Sequence, residues 1–96
     1  MILRYNRRAV RDLAAIADYI RTHNPPAAER VRQRIEQLIN GLGDFPFQGS
    51  PTDDPGIRRL VATPFPYLIF YRIKGKAVII LHIRHGRRRA EREAQR

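Results

Sequence analysis

Apolar positions change their spacing twice along the chain. Ile2-Leu3-Arg4-Tyr5 alternates enough for a short strand. Val10, Leu13, Ile16, Ala17 and Ile20 then recur at intervals of three and four, the spacing of a helix with one apolar face, and Asn6 is placed to cap it. Thr22-His23-Asn24-Pro25-Pro26 ends that helix and opens another. Asn24 is a good N-cap, and Pro25 suits the first helical position because its missing N–H would be unpaired there anyway. Ala28, Val31, Ile35, Leu38, Ile39 and Leu42 form a second stripe, closed by Gly41 and Gly43. Two amphipathic helices with so short a joint predict an antiparallel hairpin.

Residues 43–56 read as loop, being rich in Pro, Gly, Asp and Ser, with Phe45 and Phe47 expected to anchor it in the core. Beyond it, residues 57–62, 67–73 and 77–85 are rich in β-branched and aromatic side chains and are separated by turn sequences, predicting a meander of three strands. Lys74-Gly75-Lys76 is too short for a crossover, so the last two strands must run antiparallel. Both faces of these strands are apolar. Tyr67, Ile69, Tyr71 and Ile73 alternate with Leu68 and Phe70, and Val78 and Ile80 alternate with Ile79, Leu81 and Ile83. One face should lie under the hairpin; the other needs a cover, from the chain itself or from a partner segment.

The expected architecture is α+β, with a short N-terminal strand and a helical hairpin packed on a mainly antiparallel sheet. It forms a single domain over 1–96, made of the strand and hairpin (1–43), the strands (57–85) and a basic tail (86–96). A chain of 96 residues buries only about 60–65% of its unfolded surface, so the core is thin. The formal charge of +10 opposes compaction and favours an acidic partner. It is uneven, at +3 over residues 1–48 and +7 over residues 49–96, which points to the second half for the functional surface. Absence of cysteine excludes disulfides, thiol catalysis and thiolate zinc, and no apolar run is long enough for a membrane span; a cytoplasmic protein is expected.

Little in the chain suggests enzyme chemistry. His82 and His85 are three apart, so on a strand they face opposite ways and cannot share a metal there unless the chain turns between them. No phosphate-cradling glycine loop, nucleophile motif or carboxylate pair is present, and no cofactor is called for. His85, flanked by Arg84 and Arg87, is the one candidate base. Arg58 and Arg59 on one strand, Arg72 on the next and Arg84 on the last could form a basic platform, with Phe65, Tyr67, Phe70 and Tyr71 near it for stacking. Guanidinium groups so placed fit nucleic-acid phosphates or an acidic protein segment equally well.

The order of elements resembles the RelE/ParE superfamily of bacterial type II toxins. The resemblance is carried by Ala9, Asp12-Leu13, Ile16 and Tyr19-Ile20, then Asn24-Pro25 with Ala27-Ala28, Pro46 and Gly49. It continues through 56–60, the Pro66-Tyr67 to Tyr71-Arg72-Ile73 strand, and 80–88 with its His85-Gly86-x-Arg88 corner. The likeness implies a cognate antitoxin whose acidic or amphipathic segment wraps the toxin. It also implies one of two targets: ribosome-bound mRNA, cut by RelE-like members, or DNA gyrase, inhibited by ParE-like ones.

Departures from the nuclease pattern favour the ParE-like branch. Leu68, not arginine, follows Tyr67; no tyrosine follows Tyr71; and His85 is followed by Gly86. The resemblance thus implies a binder rather than an enzyme, with Arg58, Arg59, Arg72, Arg84, His85, Arg87, Arg88 and Arg89 as contacts to target or antitoxin. The alternative is a metal-independent endoribonuclease with His85 as base and Arg58, Arg72 and Arg88 holding phosphate.

Overall fold

The computed structural model describes residues 1–87. Its elements follow in the order β1 (Ile2–Tyr5), α1 (Arg7–His23), α2 (Pro25–Gly41), β2 (Ser50–Pro51), β3 (Ile57–Val61), β4 (Tyr67–Lys74) and β5 (Ala77–His85). The helices begin where capping chemistry places them. The Asn6 side chain accepts the Ala9 N–H at 2.9 Å, and that of Asn24 accepts the Ala27 N–H at 3.2 Å. Arg32 bonds both Glu29 and Glu36 along α2, and the bond to Arg32 holds the Glu29 carboxyl below its ordinary range.

The strands form one sheet of order β1-β5-β4-β3-β2, antiparallel except that β1 runs parallel to β5. A two-residue turn with Gly75 at φ +60° joins β4 to β5, the left-handed start that a tight hairpin favours. Both helices pack on one face, over Leu60, Ile69, Tyr71, Val78, Ile80 and Ile83 of the sheet, with Ile35, Ile39 and Leu42 of α2 and its C-cap fully enclosed. Each such aliphatic side chain stabilises the fold by about 1.5–3 kcal/mol. Arg34 ties α2 to the β3–β4 turn, donating to the Thr63 carbonyl at 2.7 Å.

Four expectations are corrected. Val10 does not belong to the buried stripe of α1: it is 54% exposed, and Ala9, one position back, is fully buried instead. The 43–56 stretch is not all loop, since Ser50–Pro51 pairs with Arg58 and Arg59 as β2. Phe45 and Phe47 are not core anchors; each is 68% exposed. The anchor is Tyr71, whose buried hydroxyl donates to the Pro46 carbonyl at 2.7 Å and accepts the Gly49 N–H at 2.9 Å. A Cβ on Gly49 would stand 2.7 Å from that hydroxyl, so only glycine fits there.

The fourth concerns β5. Tyr71 pairs with Ile80 and Phe70 with His82, which leaves Leu81 as an extra residue in a β-bulge. Strict alternation would set Ile83 on the face opposite Val78 and Ile80. The bulge shifts the phase by one, so Ile83 joins them in the core, His85 faces the helices beside Tyr67, and His82 and Arg84 face outward.

Candidate functional site

The register sorts the predicted arginines onto two faces. Arg59 lies opposite Phe70, Ile57 opposite Arg72 and Leu68 opposite Arg84, so Arg59, Arg72 and Arg84 share the sheet face turned away from the helices. There the Arg84 guanidinium lies 4.6 Å from the Phe70 ring centre, and the His82 ring stacks on Phe70 at 4.5 Å. Leu68 and Phe70 are buried, so the second apolar face of the sheet is covered in part by the chain's own cations and histidine. The other strand positions on this face are Ile2, Arg4, Ser50, Ile57, Val61, Lys74, Ala77 and Ile79, giving a basic surface without a carboxylate or phenol among its described strand residues.

Arg58 does not join that platform. It pairs with Tyr71 across the strands, lies over the Phe47 ring at 5.2 Å, and donates to the carbonyls of Gly49 (3.1 Å from Nε) and Phe47 (3.2 Å). Its work is to hold the 45–49 loop. Tyr67 and Tyr71, expected as stacking surfaces, are buried on the helix side, and Phe65 packs against the core; of the four aromatics only Phe70 sits among the outer arginines. Arg88 and Arg89 lie outside the described residues, as does nearly all of the predicted basic tail.

His85 and Arg87 occupy a different place. A cleft of about 520 Å³ opens between α1 and the C-terminal end of β5. One wall is the α1 stripe Arg8, Asp12, Ala15, Ile16 and Tyr19; the other is Tyr67 with Ile83, Arg84, His85 and Arg87. Because β1 stops opposite Ile80, the last residues of β5 have no strand beside them on that edge. Asp12 takes the missing strand's role, its Oδ2 accepting the Ile83 N–H at 2.9 Å, while Arg8 approaches the same carboxylate at 4.0 Å. Nothing in the residue type announced this, but Asp12 stands at the border of the buried stripe, between Ala9 and Ile16, where an acid needs a partner. His85 packs edge-on against Tyr67 at 5.4 Å, and its Nδ1 accepts the Arg87 N–H at 3.1 Å. That assigns the neutral ring's proton to Nε2, making the remaining nitrogen a donor, which suits holding an anion better than abstracting a proton.

The profile for the ParE toxin of the type II toxin–antitoxin system parDE matches residues 3–90. This chain belongs to the ParE toxin family. Among its relatives, the Sinorhizobium fredii protein Y4kP is 38% identical over 84 residues, covering 88% of this chain and 86% of that protein. Toxin RelE2 of Caulobacter vibrioides is 38% identical over 81 residues, covering 84% and 90%. A solved chain of the chromosomal ParDE TA system from P. aeruginosa superposes with a TM-score of 0.80 at 32% identity, covering 88% of this chain and 95% of that one. The ParE family is thus matched in both sequence and fold, and the predicted strand, hairpin and antiparallel sheet are those of a ParE-like toxin.

Proposed function

We propose that this ParE-family toxin arrests growth by binding DNA gyrase in the cytoplasm and is neutralised by a cognate antitoxin encoded beside it. The observation that carries the choice of target is the chemistry of the outer sheet face. Arg59, Arg72 and Arg84 could grip an anionic surface, but the proton carriers among the described strand positions there, His82 opposite Phe70 and Lys74 at the far end of β4, do not stand together around one phosphate. Metal-free cleavage of RNA needs an acid and a base around the same phosphate, together with stabilisation of its developing charge. An arginine face without that pair is suited to protein recognition by fork-shaped donors. Arg59, Arg72 and Arg84 are the proposed target contacts; Arg58 drops out, because its donors are spent on the chain's own loop.

A RelE-like reading, cleavage of ribosome-bound mRNA, has in its favour the 38% identity with a relative that carries the name RelE2. One pair of assays separates the two. The purified chain should inhibit supercoiling by gyrase and leave mRNA on ribosomes intact; codon-specific cleavage with unaffected supercoiling would overturn the gyrase reading.

A further inference from the structure

The two edges of the sheet are unlike. The β2 edge is only Ser50–Pro51, short and carrying a proline, two features that discourage another strand from pairing there. The β1 edge has neither. Ile2 and Asn6 donate to the Lys76 and Ile80 carbonyls at 2.9 and 3.0 Å, so the alternate residues Leu3 and Tyr5 turn their N–H and C=O groups to the open side, where no strand lies among the described residues. Apolar surface gathers at the same place. Of the eight large apolar side chains exposed among the described residues, Met1, Ile2, Tyr5 and Val10 fall within the first ten positions. The Tyr5 ring also lines a groove of about 440 Å³ with Val10, Leu13, Ala14 and Ala17. The ionic residues of that groove are already matched, Asp18 with Arg21 and Glu36 with Arg32, each pair at 2.6 Å. An acidic peptide or a phosphate chain finds those cations committed; a near-neutral apolar surface with its own open strand fits better, and the chain itself supplies one.

We infer that two copies of this chain join across their β1 edges, antiparallel about a two-fold axis centred on Arg4. Leu3 of each copy then exchanges both N–H···O bonds with Tyr5 of the other, and the two sheets become one continuous sheet. On the helix side Tyr5 and Leu3 meet across the join, which brings the groove at Tyr5 against the second copy. On the other side Arg4 meets Arg4, a like-charge contact that weakens the pair at low salt and is screened as salt rises. This two-fold keeps both arginine faces on one side of the joined sheet, so the basic surface is doubled whatever its target. The inference is independent of the gyrase reading.

Sedimentation velocity of the full chain between about 1 and 500 µM measures the pairing, and amide exchange followed by NMR at both ends of that range locates it. The expected result is a dimer that tightens between about 0.05 M and 0.5 M sodium chloride, with the Leu3 and Tyr5 amides protected only where the dimer is populated. Arg4→Thr, at an exposed position, should tighten it about tenfold by removing the repulsion. Tyr5→Pro removes an N–H from the open edge and should abolish the dimer, while Tyr5→Phe keeps that N–H and the ring and should leave it unchanged. Circular dichroism monitors the fold; should Tyr5→Pro not fold, the Arg4→Thr and exchange measurements still decide. A chain monomeric throughout at both salt concentrations, or a dimer in which these two amides exchange freely, would overturn the inference. Protection that does not vary with concentration would place another part of the same chain on the edge, and protection seen only after the polypeptide of the neighbouring gene is added would place the antitoxin there; either overturns it.

Discussion

At the scale of single residues, the two polar groups that most shape this toxin are Tyr71 and Asp12, and both act by satisfying backbone. The Tyr71 hydroxyl closes the 46–49 loop with one bond given and one accepted, inside the core. Tyr71→Phe would leave the Gly49 N–H without its acceptor and the Pro46 carbonyl without its donor, and should lower stability by about 2–3 kcal/mol. Gly49→Ala forces the new methyl against the same hydroxyl and the Arg59 carbonyl, at 2.7 and 2.8 Å, and should cost about as much through overpacking. Urea unfolding of both variants measures the losses. Because both act on one contact, the double variant should lose less than their sum, and strict additivity would show that the contact is not shared. Neither role could be read from the sequence: a tyrosine in an apolar alternation signals burial, not which carbonyl its hydroxyl meets. Phe45 and Phe47 misled for the complementary reason, since size and apolarity suggest a core position, and the loop's true attachment lay twenty-five residues further on from Pro46.

At the scale of elements, caps and turns were legible because their chemistry is local. Asn6, Asn24-Pro25 and Gly75 each act within a few residues, and each marks its boundary correctly. The bulge at Leu81 was not legible. Ile79, Ile80, Leu81 and Ile83 offer an apolar residue to the core in either phase, and no glycine or proline marks the slip; only pairing with β4 decides it. Deleting Leu81 should therefore leave the core phase of β5 unchanged. With Leu81 gone, His82 follows Ile80 directly, so Ile83 stays in the core, His82 and Arg84 stay outward, and the variant should still unfold cooperatively. Leu81→Ala retains the extra residue at this half-buried position and should cost about 1–2 kcal/mol. Thermal denaturation compares them, and a deletion variant that no longer unfolds cooperatively would show that the bulge itself is needed to seat the end of β5.

At the scale of the whole molecule, the charge of +10 is carried by a core of modest size. Self-repulsion at low salt should be relieved as added ions shorten the screening distance from about 10 Å at 0.1 M to about 3 Å at 1 M. The isolated toxin should melt about 5 °C higher in 0.5 M than in 0.05 M sodium chloride, a gain of roughly 1 kcal/mol for a chain of this size. A melting temperature that is flat or falls with salt would show that internal ion pairs outweigh repulsion. Composition made the excess charge plain, and only the fold showed its division between an outer face of Arg59, Arg72 and Arg84 and a cleft bounded by Arg8 and Arg87.

The parallel pairing of β1 with β5 also sets an order of events during synthesis. Residues 2–5 leave the ribosome first, yet their partners are residues 77–80, and the two strands can meet only after the helices and the other strands have emerged. The cleft obeys the same timetable, because α1 is made early and the wall that faces it comes from the end of β5. A nascent toxin therefore has half of the cleft for most of its translation. Any partner that requires both walls distinguishes a finished toxin from a growing one.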